Sequence, residues 1–193
     1  MSKTESKESS YGAEHEGPVH EGRLATNGRR FALVAARFND AVVGKLIDGA
    51  RDALRGAGAG ADDVELYRCP GAMEIPGLAR RVADTGRFDG VICLGTVIRG
   101  GTPHFDVVVN ECARGVGELA GEGKIAVAFG VLTCDTNEQA VERSGAKEGN
   151  RGYDAAMVAV EMADLYARMR ADAAAAQPPT VVPPPATDLP RRK

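Results

Sequence analysis

The chain predicts an α/β fold: a four-stranded parallel sheet with helices on both faces. Three observations carry that expectation. Four short runs rich in apolar residues have the length of strands, and each is followed by a segment with apolar residues at helical spacing. Strand and helix therefore alternate four times, which is the order expected of parallel strands joined by crossover helices. The chain has 193 residues, 44% of them hydrophobic and 26% charged, as one ordinary globular domain requires.

The elements follow in order. "RRFALVAARF" (29–38) is the first strand. Residues 41–58 place Val43, Leu46, Ile47, Ala50 and Leu54 on one helical face, and a glycine-rich end stops that helix. "DVELYRCPG" (63–71) is the second strand, and "IPGLARRVADTG" (75–86) a helix with proline near its start. "FDGVICLGT" (88–96) is the third strand, followed by a helix from Pro103 to Gly121. "KIAVAFGVLT" (124–133) is the fourth. Thr136 with Gln139 has the spacing of a capping box, and helices over 137–144 and 151–172 complete the domain.

The ends differ from this middle. Residues 1–22 have no hydrophobic run, which argues against a secretory signal, and their composition predicts a disordered extension. Residues 173–193 are proline-rich, end in a basic cluster and read as a second disordered tail. The domain is thus expected over 23–172.

Composition also excludes function classes. A net charge of -3 implies no general attraction to nucleic acid or to an anionic membrane. Aromatic residues are 5% of the chain and tryptophan is absent, so no stacking platform for single strands is expected. No segment is apolar enough to span a bilayer. Cys69, Cys93, Cys112 and Cys134 form no C-x-x-C pair and lie in or beside apolar elements. They predict reduced, buried thiols in a cytoplasmic protein and no metal site.

In such a sheet, sites form beyond the carboxyl ends of the strands. The informative segments are therefore the strand-to-helix junctions 36–40, 69–76, 95–106 and 129–136. The third, "GTVIRGGTPHFD", is the richest in chemistry. Gly100, Gly101 and Thr102 precede a helix start, where backbone N–H groups and the helix dipole favour an anion. His104 follows at once and is the one histidine outside the N-terminal extension. A phosphate site beside a histidine points to proton transfer on a phosphorylated substrate. A Gly-Gly pair also serves as a plain turn, and neither G-x-G-x-x-G nor a Walker A pattern is present.

"VAARFND", "PGAMEIP", "VIRGGTPHFD", "FGVLTCDTNEQAVERSG" and "KEGNRGYDAAMVAVEMADL" together resemble the lumazine synthase family, in its order and spacing, from about Gly22 to Met169. The resemblance implies a flavodoxin-like three-layer fold that self-associates. It implies condensation of 5-amino-6-(D-ribitylamino)uracil with L-3,4-dihydroxy-2-butanone 4-phosphate to the lumazine, phosphate and water, with no cofactor and no metal. It also implies a role for each matched residue. Phe38 would stack on the pyrimidine. Ala72, Met73, Glu74, Thr96, Val97 and Ile98 would line the aminouracil site, and Phe129 would cover it from a neighbouring subunit. Gly101, Thr102 and Arg143 would hold the phosphate, and His104 would move protons. Asp154 matches a family position that holds an acidic residue near the histidine, and it and Arg151 would be supporting residues. Pentamers, sixty-subunit shells and riboflavin synthase as a partner are further implications, and the short "GAKEGNRG" connection resembles shell-forming members. The chain departs from the family at Arg151, usually lysine, at Gly101, commonly alanine, and at Cys134, commonly threonine. A noncatalytic flavin-binding or shell-forming relative of the same fold is the alternative.

Overall fold

A computed structural model describes residues 17–176. Strands β1 (Phe31–Ala36), β2 (Val64–Cys69), β3 (Gly90–Ile98) and β4 (Ala126–Cys134) form one sheet in the order β2-β1-β3-β4, and every pairing is parallel. Helices α1 (Asp40–Gly56), α2 (Ile75–Asp84), α3 (His104–Gly121), α4 (Asn137–Arg143) and α5 (Arg151–Ala175) connect and cover it. The three-layer α/β architecture is the one the alternation predicts.

Each face of the sheet has its own core. On one, Phe31, Leu33, Ile92 and Leu94 pack against Leu46 and Leu54 of α1 and Val160 of α5. On the other, Val34, Val91 and Cys93 pack against Ile75 of α2 and Val116 of α3. β1 is buried along its whole length, because it lies between two strands and beneath helices on both sides. Its unbroken apolar run records that position.

Close packing of α1 on α5 depends on two glycines. A Cβ at Gly152 would lie 2.0 Å from the Leu46 carbonyl oxygen, and one at Gly49 would lie 2.3 Å from the Asn150 side chain. Asn150 uses that space. Its Oδ1 accepts from the N–H groups of Gly152 (2.8 Å) and Tyr153 (3.2 Å), capping α5. Its Nδ2 donates to the carbonyls of Lys45 (2.8 Å) and Ser144 (3.1 Å). One side chain thereby fixes the start of α5 against α1.

The boundaries differ from expectation in informative places. β3 runs to Ile98 rather than ending near 96, since β4 continues to pair with it as far as Cys134. Val97 and Ile98 are therefore strand residues, and the third junction shortens to 99–103. Pro103 caps α3 rather than opening it. The capping box is shifted by one residue. Thr136 Oγ1 accepts from the Gln139 N–H at 3.3 Å, but Gln139 Oε1 reaches back to the N–H of Asp135.

α5 continues to Ala175, past the expected end at 172. At the other end, the Glu21 carbonyl accepts from Arg168 Nη1 at 2.7 Å, and Gly22 lies against the Glu161 carbonyl. The rest of both expected tails, 1–16 and 177–193, lies outside the described residues. Among the described residues, no helix is long and apolar enough to cross a membrane.

Candidate active site

Three strand-to-helix junctions converge on one cavity of about 500 Å³. In the first, backbone pairing continues beyond the strands: Arg37 N–H donates to the Cys69 carbonyl (2.8 Å) and Phe38 N–H to the Pro70 carbonyl (3.0 Å). Asn39 then turns the chain into α1 with φ 60°, a left-handed conformation that asparagine tolerates. Its Nδ2 donates to the Thr96 carbonyl at 2.9 Å, tying this junction to β3. The Phe38 ring is left 71% exposed on the cavity wall. A large apolar ring so placed, with its backbone fixed, is a ready stacking surface.

The second junction, Ala72–Glu74, is a single tight helical turn. Glu74 Oε2 accepts from the Gly71 N–H at 2.8 Å, which holds the carboxylate at the turn. Ala72 is buried, whereas Met73 and Glu74 are exposed on the lining.

The end of β3 supplies Thr96, Val97 and Ile98 to the same cavity, the third junction Gly100 and Thr102, and the start of α3 His104. Gly100 and Gly101 have no left-handed φ, and a Cβ on either would meet nothing within 4 Å. The fold itself does not demand glycine at either position. His104 is the first residue of α3 and is exposed. Gly101 itself does not line the cavity. Thr96 is 2% exposed, and its Oγ1 is one of two buried side-chain polar atoms without a partner among the described residues; the other is Arg68 Nε.

The remaining expected site residues lie elsewhere. Phe129, Arg143, Arg151 and Asp154 line a second cavity of about 360 Å³, with Cys134 at its wall. The two cavities share no lining residue. Asp154 is therefore not gathered with His104 of its own chain; it pairs instead with Arg151 at 2.9 Å. Arg143 donates to the Gln139 carbonyl at 3.1 Å and makes no ion pair among the described residues. Its side chain is half-buried. Burial pushes the Cys134 thiol up, and the Arg143 charge opposes that only in part. The same burial raises Cys112 to about 11 and Cys93 further still, so these thiols stay protonated and unreactive at neutral pH.

One residue near the site carried no role in the sequence reading. Arg99, between β3 and the glycine pair, bonds Asp135 Oδ1 (2.8 Å) and Asp106 Oδ1 (3.2 Å), and its guanidinium lies 4.1 Å from the Phe105 ring centroid. Its hydrogen bond to Asp135, then that to Asp106, holds its pKa above the ordinary arginine value. The signal available in the sequence was its place directly before the predicted anion loop.

Comparison with known proteins identifies the family. The model of the family described as 6,7-dimethyl-8-ribityllumazine synthase matches residues 28–167. A relative of that name from Chlorobium phaeobacteroides is 53% identical over 146 residues, covering 76% of this chain and 94% of the relative. One from Anaeromyxobacter sp. (strain K) is 54% identical over 147 residues, covering 76% and 91%. One from Syntrophus aciditrophicus is 51% identical over 147 residues, covering 76% and 96%. With the family model matched over residues 28–167 and about half of the residues identical to these relatives over nearly their whole length, the chain belongs to the 6,7-dimethyl-8-ribityllumazine synthase family.

Proposed function

We propose that the protein condenses 5-amino-6-(D-ribitylamino)uracil with L-3,4-dihydroxy-2-butanone 4-phosphate, giving 6,7-dimethyl-8-ribityllumazine, phosphate and two waters. The observation that carries this reading is the gathering of Phe38, Glu74, Thr102 and His104 around one cavity. It offers an aromatic wall for a pyrimidine, a carboxylate for a polyol and an anion loop beside a proton carrier.

The chemistry needs little else. The 5-amino group attacks the ketone, and loss of water leaves an imine. Phosphate is eliminated from the adjacent chain, and attack of the ribitylamino nitrogen on the resulting carbonyl closes the ring with loss of a second water. His104 carries protons between these steps. Thr102 and the loop N–H groups, Gly101 included, hold the phosphate as substrate and as leaving group. Holding both reactants side by side supplies much of the acceleration.

The protein works as a homo-oligomer in which each site is shared. Phe129 and Arg143 of a neighbouring subunit close the cavity of the first, and Arg151 and Asp154 come with them. Two supports stand behind this: the split of the expected cast between two separate cavities, and the exposure of Phe38 and Phe129 at 71% and 44%. A head-to-tail interface of this kind closes into a ring, for which we adopt the pentamer, assembled further into a shell. The four unpaired thiols favour a reducing compartment, the cytoplasm. Incubating the purified protein with both substrates tests the function: lumazine fluorescence and one phosphate released per lumazine are expected. Tight binding of both substrates without product would overturn it in favour of a noncatalytic relative.

A further inference from the structure

We propose that Arg99 is a positioning residue for the anion site, one that cancels two carboxylates beside the glycine loop. The inference rests on the functional reading above, in which Gly101 and Thr102 receive a phosphate.

Arg99 is joined to three elements at once. Its N–H donates to the Cys134 carbonyl at 2.9 Å, at the end of β4. Its Nε donates to Asp135 in the turn before α4, and its Nη1 to both oxygens of Asp106, at 3.2 and 3.3 Å, in the first turn of α3. Its guanidinium stacks on Phe105, which is buried. Phe105 and Asp106 directly follow His104, so Arg99 grips the turn that carries the histidine.

The electrostatics point the same way. Asp106 and Asp135 are the carboxylates paired to the residue that directly precedes Gly100 and Gly101. Left uncompensated, negative charge beside a helix start would oppose a phosphate there. Arg99 compensates both and is thereby committed to them. Arg143, which makes no ion pair among the described residues, is left as the cation for the ligand. The two arginines thus divide the work: one prepares the loop and the other meets the substrate.

The test uses inorganic phosphate as the probe, as a competitive inhibitor against the butanone phosphate in the assembled enzyme. Arg99→Gln should raise the phosphate inhibition constant and the KM for the butanone phosphate by about tenfold, the combined effect of two exposed carboxylates near a helix start. The KM for the pyrimidine should stay within about twofold, since the aminouracil wall is untouched. Adding Asp106→Asn and Asp135→Asn to Arg99→Gln should restore phosphate affinity to within about threefold of wild type. A merely structural clasp would not be restored, because the triple variant still lacks the guanidinium and both of its ion pairs. If Arg99→Gln does not fold, Arg99→Lys keeps the charge without the forked geometry, and phosphate affinity within about threefold of wild type is expected.

A triple variant no better than Arg99→Gln overturns the proposal, as does an equal rise in both KM values or a tenfold loss in Arg99→Lys. Absence of phosphate competition in the wild-type enzyme would instead overturn the anion-loop reading on which the proposal rests.

Discussion

Replacing Thr96 by valine should make the protein more stable and its pyrimidine binding weaker. Thr96 is 2% exposed and lines the candidate cavity, and its buried hydroxyl has no hydrogen-bond partner among the described residues. A buried polar group without a partner costs about 1–3 kcal/mol, and valine fills the same volume with a methyl group. Thr96→Val should therefore gain about 1–2 kcal/mol in the ligand-free protein. In a domain of this size that corresponds to a rise in Tm of about 2–6 °C. Wild type and variant must be compared at equal protein concentration, because assembly shifts apparent stability. Substrate kinetics on the same samples should show the KM for the aminouracil rising by about tenfold, the worth of one buried hydrogen bond to a ligand. A fall in Tm would show that the hydroxyl is already satisfied in the folded protein. A rise in Tm with unchanged KM would remove Thr96 from the binding site.

Other expectations follow from the same geometry. Arg143→Ala should raise the KM for the butanone phosphate by about tenfold or more, the loss of a charge-assisted contact, while titration calorimetry finds the aminouracil affinity little changed; collapse of the latter would reassign Arg143. Gly152→Ala forces a Cβ to within 2.0 Å of the Leu46 carbonyl and should cost about 3 kcal/mol or prevent folding, whereas Gly101→Ala, with open space around it, should leave the denaturation midpoint unchanged. The third concerns pH. Asp164 accepts from the Arg23 N–H (2.9 Å) and pairs with Arg29 (3.0 Å), and these hold its pKa below the ordinary aspartate value, the Arg23 bond foremost. A depressed carboxylate stabilises the fold above its unfolded pKa of about 3.9 and loses that contribution as pH falls through the folded value. Wild type should therefore lose stability below about pH 4 more steeply than Asp164→Asn, and equal slopes in acid denaturation would refute the pairing.

Most of the fold was legible because parallel strands buried on both faces announce themselves as unbroken apolar runs. β1, buried at all its positions, is the clearest case. Element ends were less legible, since they depend on partners. β3 extends to Ile98 only because β4 pairs with it that far. Thr136 caps α4, but Gln139 bonds one residue further back than the motif implies, a choice made by the turn at Asp135. At the site, local chemistry could be read where a single junction supplied it: glycines, threonine and histidine lie within a few residues of one another. What no local pattern reveals is which junctions share a cavity. Asp154 matched a position associated with the histidine, yet within one chain it lies with Arg151 in the other cavity. Arg99 carries no local signal for a related reason, since its partners Asp106 and Asp135 sit on different elements.

The shared site is the central claim, and one reassembly experiment tests it most directly. His104→Ala and Arg143→Ala, each defective at its own half of the site, are unfolded, mixed in equal amounts and refolded together. An interface works only when its histidine half comes from the Arg143 variant and its arginine half from the His104 variant. Random assembly of a head-to-tail ring gives that pairing at about one interface in four. Activity should climb above both parents toward about a quarter of wild type, whereas variants refolded separately and then mixed should show no gain. Mixed rings that form, yet stay at the average of the two parents, would place both residues in one subunit's own site and contradict the shared arrangement.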